Sequence, residues 1–171
     1  MPIYPRDRRL ARWSLIKQSR CLPPIQKAKI MRGFSAIGLF HPKTPENVGS
    51  TLRACQCYEV AMLAISGKRF KRACTDTFKT WRHMPVIETN DLKTIIPFGC
   101  VPVAIDLVDG AQKLTEYKHP ERAFYIFGPE DGTLGAMTLP WCRDRVYIPT
   151  NGCMNLAATV NVVLYDRLLK G

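Results

Sequence analysis

The chain has no run approaching the ~18 apolar residues that span a membrane, and its N-terminus lacks the apolar core of a secretory signal. The expectation is therefore a cytoplasmic protein that engages no membrane. The Arg-rich, acid-poor N-terminus also fits a mitochondrial transit peptide, but Pro5, Pro23 and Pro24 break the amphipathic helix such a peptide needs. Zinc spacing is absent too. The seven cysteines (Cys21, Cys55, Cys57, Cys74, Cys100, Cys142, Cys153) form no C-x-x-C pair. They fall mostly in or beside apolar runs, as small buried thiols of a reducing compartment would. The three histidines, His41, His83 and His119, are far apart, so no metal is expected.

Nucleotide-binding signatures are also missing. No G-x-G-x-x-G follows a strand, and there is neither a G-x-x-x-x-G-K-[ST] loop nor a G-x-S-x-G elbow. Acidic residues are scarce at one end. Residues 1–32 hold one acid, Asp7, against nine Lys or Arg: Arg6, Arg8, Arg9, Arg12, Lys17, Arg20, Lys27, Lys29 and Arg32. That segment carries +8 of the chain's net +11. It reads as a basic arm suited to a polyanion, with Trp13 offering a stacking surface.

What is present after the arm is alternation. FSAIGLF (34–40), VAMLAIS (60–66), VPVAID (101–106), AFYIF (123–127) and RVYIP (145–149) read as strands, with a shorter one over 85–88. Helices are expected over 48–58, with Asn47 as N-cap and Val48, Leu52 and Cys55 on one stripe, and over 155–169. Shorter ones are expected over 75–83, with Phe78 and Trp81 reaching the core, and over 91–96. Near-continuous apolar strands alternating with helices predict an α/β fold, a parallel sheet flanked by helices on both faces. Ligands of such folds sit beyond the carboxyl ends of the strands. Three polar, Gly-bearing loops lie there: 41–49, 128–135 and 150–155.

Those loops carry a resemblance. ENVGSTLRAC (46–55), FGPEDGTL (127–134) and IPTNGCMNLAATVNVVLYD (148–166) are similar, in order and spacing, to the three motifs of SpoU/TrmH-type RNA ribose methyltransferases of the SPOUT superfamily. The likeness covers about 34–171, which divides the chain into a basic arm, 1–32, and a SPOUT methyltransferase domain, 33–171. It implies a C-terminal trefoil knot, which the general rule on connections disfavours. It also implies S-adenosylmethionine as cofactor, a homodimer through the last helix, and a 2′-hydroxyl of tRNA or rRNA as acceptor, with tRNA slightly favoured. The motif asparagine and arginine fall on Asn47 and Arg53, the Gly-Pro-Glu on Gly128, Pro129 and Glu130, and the last asparagine on Asn155. These make Arg53, Asn47, Glu130 and Asn155 the catalytic candidates.

The cofactor candidates are Ile105, Leu107, Phe127, Gly128, Ile148, Cys153 and Leu156. Ile105, Leu107, Ile148 and Leu156 would line an adenine slot, while Gly128 and Gly152 allow close backbone approach. Cys153 stands where the family usually has serine. Glu130 would hold Asn47, Arg53 or substrate, and Asn155 would cap the last helix while orienting Arg53 or a ribose. An arginine stays protonated at neutral pH, so Arg53 is expected to bind the phosphate beside the target ribose and stabilise the emerging alkoxide, not to act as base. RNA contacts are expected from Arg6, Arg8, Arg9, Arg12 and Lys17 of the arm and from Arg69 of the basic loop GKRFKR. Three other readings fit parts of the pattern. They are a non-catalytic RNA-binding protein of the same fold, a nucleotide-binding α/β protein with no RNA role, and methyl transfer to a base nitrogen.

Overall fold

The computed structural model describes residues 33–67 and 79–171, without the side chains of 136 and 137. The expected RNA contacts Arg6, Arg8, Arg9, Arg12, Lys17 and Arg69 lie outside the described residues, as do 75–78 of one expected helix. Seven strands form one sheet in which every pairing is parallel. They are β1 (Phe34–Phe40), β2 (Met62–Ser66), β3 (Val86–Thr89), β4 (Val101–Ile105), β5 (Gln112–Lys113), β6 (Arg122–Phe127) and β7 (Asp144–Tyr147), in spatial order β3-β2-β1-β6-β4-β7-β5. The late strands take places between earlier ones: β6 enters between β1 and β4, and β7 between β4 and β5.

Strand side chains alternate between two cores, as a period of two requires. On β6, Ala123, Tyr125 and Phe127 face one cluster, and Phe124 and Ile126 the other. The first face is covered by two helices, α1 (Pro45–Cys57) and α3 (Leu156–Lys170), whose Val48, Leu52, Cys55, Leu156, Val160, Val163 and Leu164 complete the core. The second face is covered by short pieces. A 3₁₀ turn at Leu92–Ile95 places Leu92 there, and α2 (Gly135–Thr138) runs into a 3₁₀ turn at Leu139–Trp141. Gly38 of β1 makes room on that face: a Cβ would stand 2.9 Å from the Phe124 ring.

Several boundaries differ from the sequence reading. Helix α1 starts at Pro45, not Val48, because proline at the first helical position has no N–H to lose. Asn47 is thus inside the first turn and is not the N-cap; Thr44 holds that position without a side-chain cap bond. Of the expected 75–83 helix, the described part is a 3₁₀ turn at Thr80–Arg82, and Trp81 lies 46% exposed beneath the Arg82 guanidinium instead of in the core. Cys55 and Cys142 are buried, and burial pushes both thiols up to about 12, which leaves them inert. Cys57 and Cys153 are exposed, and so depart from the buried thiols that the cysteines' mostly apolar surroundings suggest.

Candidate functional site

Four connections leave the carboxyl ends of adjacent strands and meet at one edge of the sheet. They follow β1 (41–44), β4 (106–110), β6 (128–135) and β7 (148–155). The last three enclose a cavity of about 140 Å³. Its wall contains all seven cofactor candidates: Ile105, Leu107, Phe127, Gly128, Ile148, Cys153 and Leu156. Ile105 and Phe127 belong to the buried core, while Leu107 is more than half exposed at the rim. Gly152 also lines the cavity, and a Cβ there would meet nothing within 4 Å.

The loop after β1 joins this wall through Glu130. Its Oε2 accepts Lys43 N–H at 2.8 Å, and its Oε1 accepts Thr44 N–H at 3.1 Å and Asn47 Nδ2 at 2.8 Å. Asn47 Oδ1 in turn accepts Asn155 Nδ2 at 2.9 Å, and Asn155 Oδ1 accepts the Ala157 and Ala158 N–H groups at the start of α3. The direction of this chain is fixed chemically. Helix N–H groups can only donate, a carboxylate can only accept, and each amide between them must turn its oxygen one way and its nitrogen the other. Burial works to raise the Glu130 carboxyl, but the bonds from Asn47, Lys43, its own backbone and Thr44 hold it below its ordinary value. A single ionised group therefore ties the first loop and two helices to the end of β6.

Three of the four catalytic candidates, Asn47, Glu130 and Asn155, thus stand in direct contact. Asn155 caps α3 and at the same time orients Asn47, a partner other than the Arg53 or ribose named in the sequence reading. Arg53 is placed differently. It projects from the exposed stripe of α1 shared with Glu46, Ser50 and Cys57, whereas Asn47 faces inward. The polar ends of Asn47 are engaged by Glu130 and Asn155.

One residue escaped the sequence reading. Asp106, between the candidates Ile105 and Leu107, lines the cavity with Oδ1 on Leu107 N–H (2.8 Å) and Oδ2 on Leu134 N–H (2.7 Å). An aspartate directly after an apolar run, where a strand ends at a ligand edge, is the signal that could have found it.

The electrostatics of the lining are one-sided. Asp106 and Glu130 contribute carboxylates, and among the described residues no Lys, Arg or His lines the cavity. Such a wall suits a cation with an apolar body and offers no side-chain cation to a phosphate. Among the described residues, no group of three or more His, Cys, Asp or Glu could hold a metal ion, and no helix is long and apolar enough to cross a membrane.

Solved structures share this fold. AviRb, a SpoU methyltransferase from Streptomyces viridochromogenes crystallised with AdoMet, superimposes with a TM-score of 0.72 at 15% identity, over 85% of this chain and 64% of that one. The A. aeolicus TrmH/SpoU tRNA modifying enzyme matches with a TM-score of 0.72 at 16% identity, over 82% and 77% of the two chains. A protein described in connection with 2-OH methylation of C/U34 on tRNA matches with a TM-score of 0.68 at 21% identity, over 81% and 91%. The chain thus spans under two thirds of the AviRb chain but most of the other two. No curated protein is significantly similar in sequence. Residues 35–165, well over half of the chain and including all three motif loops, match the SpoU rRNA Methylase family, and the protein belongs to that family.

Proposed function

We propose that the protein is an S-adenosylmethionine-dependent RNA methyltransferase whose acceptor is a ribose 2′-hydroxyl of tRNA or rRNA. The observation that carries the reading is the cavity: among the described residues its wall has apolar side chains, two carboxylates and no cation, and it lies between the second and third motif loops, with the first tied to it through Asn47 and Glu130. A cationic sulfonium cofactor fits that lining, and a nucleotide phosphate does not. The alternative of a nucleotide-binding protein without an RNA role loses ground for that reason.

The cofactor, when bound, supplies an electrophilic methyl group. The chain's own residues do the rest. Ile105, Leu107, Phe127, Ile148 and Leu156 would give the adenosine an apolar seat, with Gly128, Thr150, Gly152, Cys153 and Met154 completing the wall. Asn47, Glu130 and Asn155 fix the three loops relative to one another, so that cofactor and acceptor meet in one geometry; orientation of this kind supplies much of the rate of a displacement. Arg53, exposed and cationic, binds the phosphate next to the target ribose and stabilises the oxygen as its proton leaves to phosphate or water.

The acceptor RNA is gathered by the basic arm, 1–32, and Arg69, and the working unit is a homodimer. Val162, Tyr165 and Leu169 recur at helical spacing on the exposed side of α3, an apolar stripe suited to a second copy. Sedimentation should show a dimer, and Tyr165→Asp should shift it toward monomer.

The decisive experiment incubates the protein with methyl-labelled S-adenosylmethionine and total RNA, then digests the RNA to nucleosides. Label is expected in 2′-O-methylribose. Label on a base would move the acceptor. A folded protein that binds no cofactor and labels no RNA would sink the proposal.

A further inference from the structure

We infer that Asp106 makes the cavity select a cationic cofactor over its uncharged product. The inference rests on the proposed reading that the cavity holds S-adenosylmethionine. Asp106 stands at the end of β4, and both of its oxygens accept backbone N–H groups. One of them, Leu134 N–H, belongs to the loop after β6, so the side chain is fixed across two of the loops that build the cavity. Gly128 lies directly opposite: a Cβ there would stand 3.5 Å from Asp106 Oδ2. The carboxylate is therefore part of the wall beside the glycine of the middle motif.

Its charge is not cancelled locally. Among the described residues no ion pair to Asp106 occurs, and the only other charged lining residue is the carboxylate of Glu130. The lysine nearest this edge along the chain, Lys43, pairs outside the cavity with Asp131 at 3.5 Å. Arg53 projects from the exposed stripe of α1, and Arg145, on β7, is not among the lining residues. Methyl transfer turns a sulfonium into a neutral thioether while the hydroxyl proton leaves to water or phosphate. A fixed negative wall thus holds the incoming cofactor and relaxes its hold on the spent one.

A unit charge ~8 Å away at an effective dielectric constant of ~20 is worth on the order of thirty-fold in affinity. In a cavity open to solvent, screening leaves roughly ten-fold.

The test is calorimetric titration of the full chain with S-adenosylmethionine and with S-adenosylhomocysteine, in the wild type and in Asp106→Asn. Wild type is expected to prefer the cation about ten-fold, and Asp106→Asn to lower that preference to about two-fold. If Asp106 were only a structural tie, the variant would weaken both ligands equally and leave the ratio unmoved; that result overturns the inference while the cofactor assignment stands. Should the variant fail to fold, salt decides in the wild type. Raising ionic strength should weaken the cation and spare the thioether, and parallel behaviour of the two overturns the proposal. Wild-type protein that binds neither ligand would remove the cofactor assignment and the inference together.

Discussion

Replacing Asn47 by aspartate exchanges one amide nitrogen for an oxygen, at nearly constant shape, in the middle of the hydrogen-bond chain. Asn47 Nδ2 donates to Glu130 Oε1 across 2.8 Å. In Asn47→Asp two carboxylate oxygens would face each other there. At that spacing two unit charges repel by about 6 kcal/mol for an effective dielectric constant of ~20. Glu130 is an exposed residue, and water reduces the figure to roughly 2 kcal/mol. Loss of the charge-assisted hydrogen bond adds about 1 kcal/mol after the same discount.

The sign of the pH dependence follows from where a proton can go. One proton shared between the carboxyls removes the repulsion and restores a hydrogen bond, so the folded variant binds it more tightly than the unfolded chain does. A folded pKa raised above the unfolded value of ~4 gives stability that is complete below that value and is lost as pH rises through the raised one. The wild type behaves in the opposite sense. Glu130 is held below its ordinary value, so its contribution is present above pH ~4.3 and fades only on acidification. The variant should therefore be little weaker than wild type near pH ~4 and weaker by roughly 3 kcal/mol near pH ~8. Urea unfolding at the two pH values measures this, with Asn47→Asp/Glu130→Gln as the control that recovers most of the loss. A difference that does not change with pH would refute the assigned direction of the chain.

Arg53→Ala should abolish methyl transfer and leave cofactor affinity within a few-fold by calorimetry; a near-wild-type rate would remove Arg53 from the mechanism. Arg167 is 4% exposed and donates to Pro120 O, Glu121 O and Tyr125 Oη, fastening the far end of α3 to the start of β6. Arg167→Leu should cost about 3 kcal/mol in urea unfolding by orphaning those acceptors, and a loss under ~1 kcal/mol would mean that water replaces the guanidinium. Neutralising Arg8, Arg9 and Arg12 together should weaken RNA binding and flatten its salt dependence, and an unchanged slope would show that the arm makes no phosphate contacts.

The strands were legible because a sheet buried on both faces needs continuous apolar runs, and FSAIGLF and AFYIF are such runs. Their spatial order was not legible, since nothing in a run of apolar residues says which neighbour it pairs with. Strand β5 was invisible for a simpler reason: Gln112 and Lys113 are both exposed and carry no alternation. Pro45 looks like loop in the sequence but opens α1, which places Asn47 inside the first turn, facing inward, and not at the cap. That shift matters for the site, because a cap would have spent its side chain on its own helix, whereas Asn47 reaches Glu130 and Asn155. The three loops could be found by motif, but the fourth, after β4, has no motif; Asp106 became visible only when the ends of β4 and β6 were set side by side.

On the proposed reading, the protein must attract two ligands of opposite charge to one edge of its sheet. A uniformly basic edge would gather RNA and repel a sulfonium; a uniformly acidic one would do the reverse. The fold separates the two demands by depth. Carboxylates at the ends of β4 and β6 line the cavity, and they are held by N–H groups and amides in place of cations. That arrangement keeps their charge available to the cavity. The cation of the first motif, Arg53, stands on the outward stripe of α1, where a phosphate can reach it without entering the cavity. Asn47 lies between them, on the same helix as Arg53 and bonded to Glu130. It is neutral, so it can connect the two regions without cancelling either charge, and an ionisable residue in its place could not.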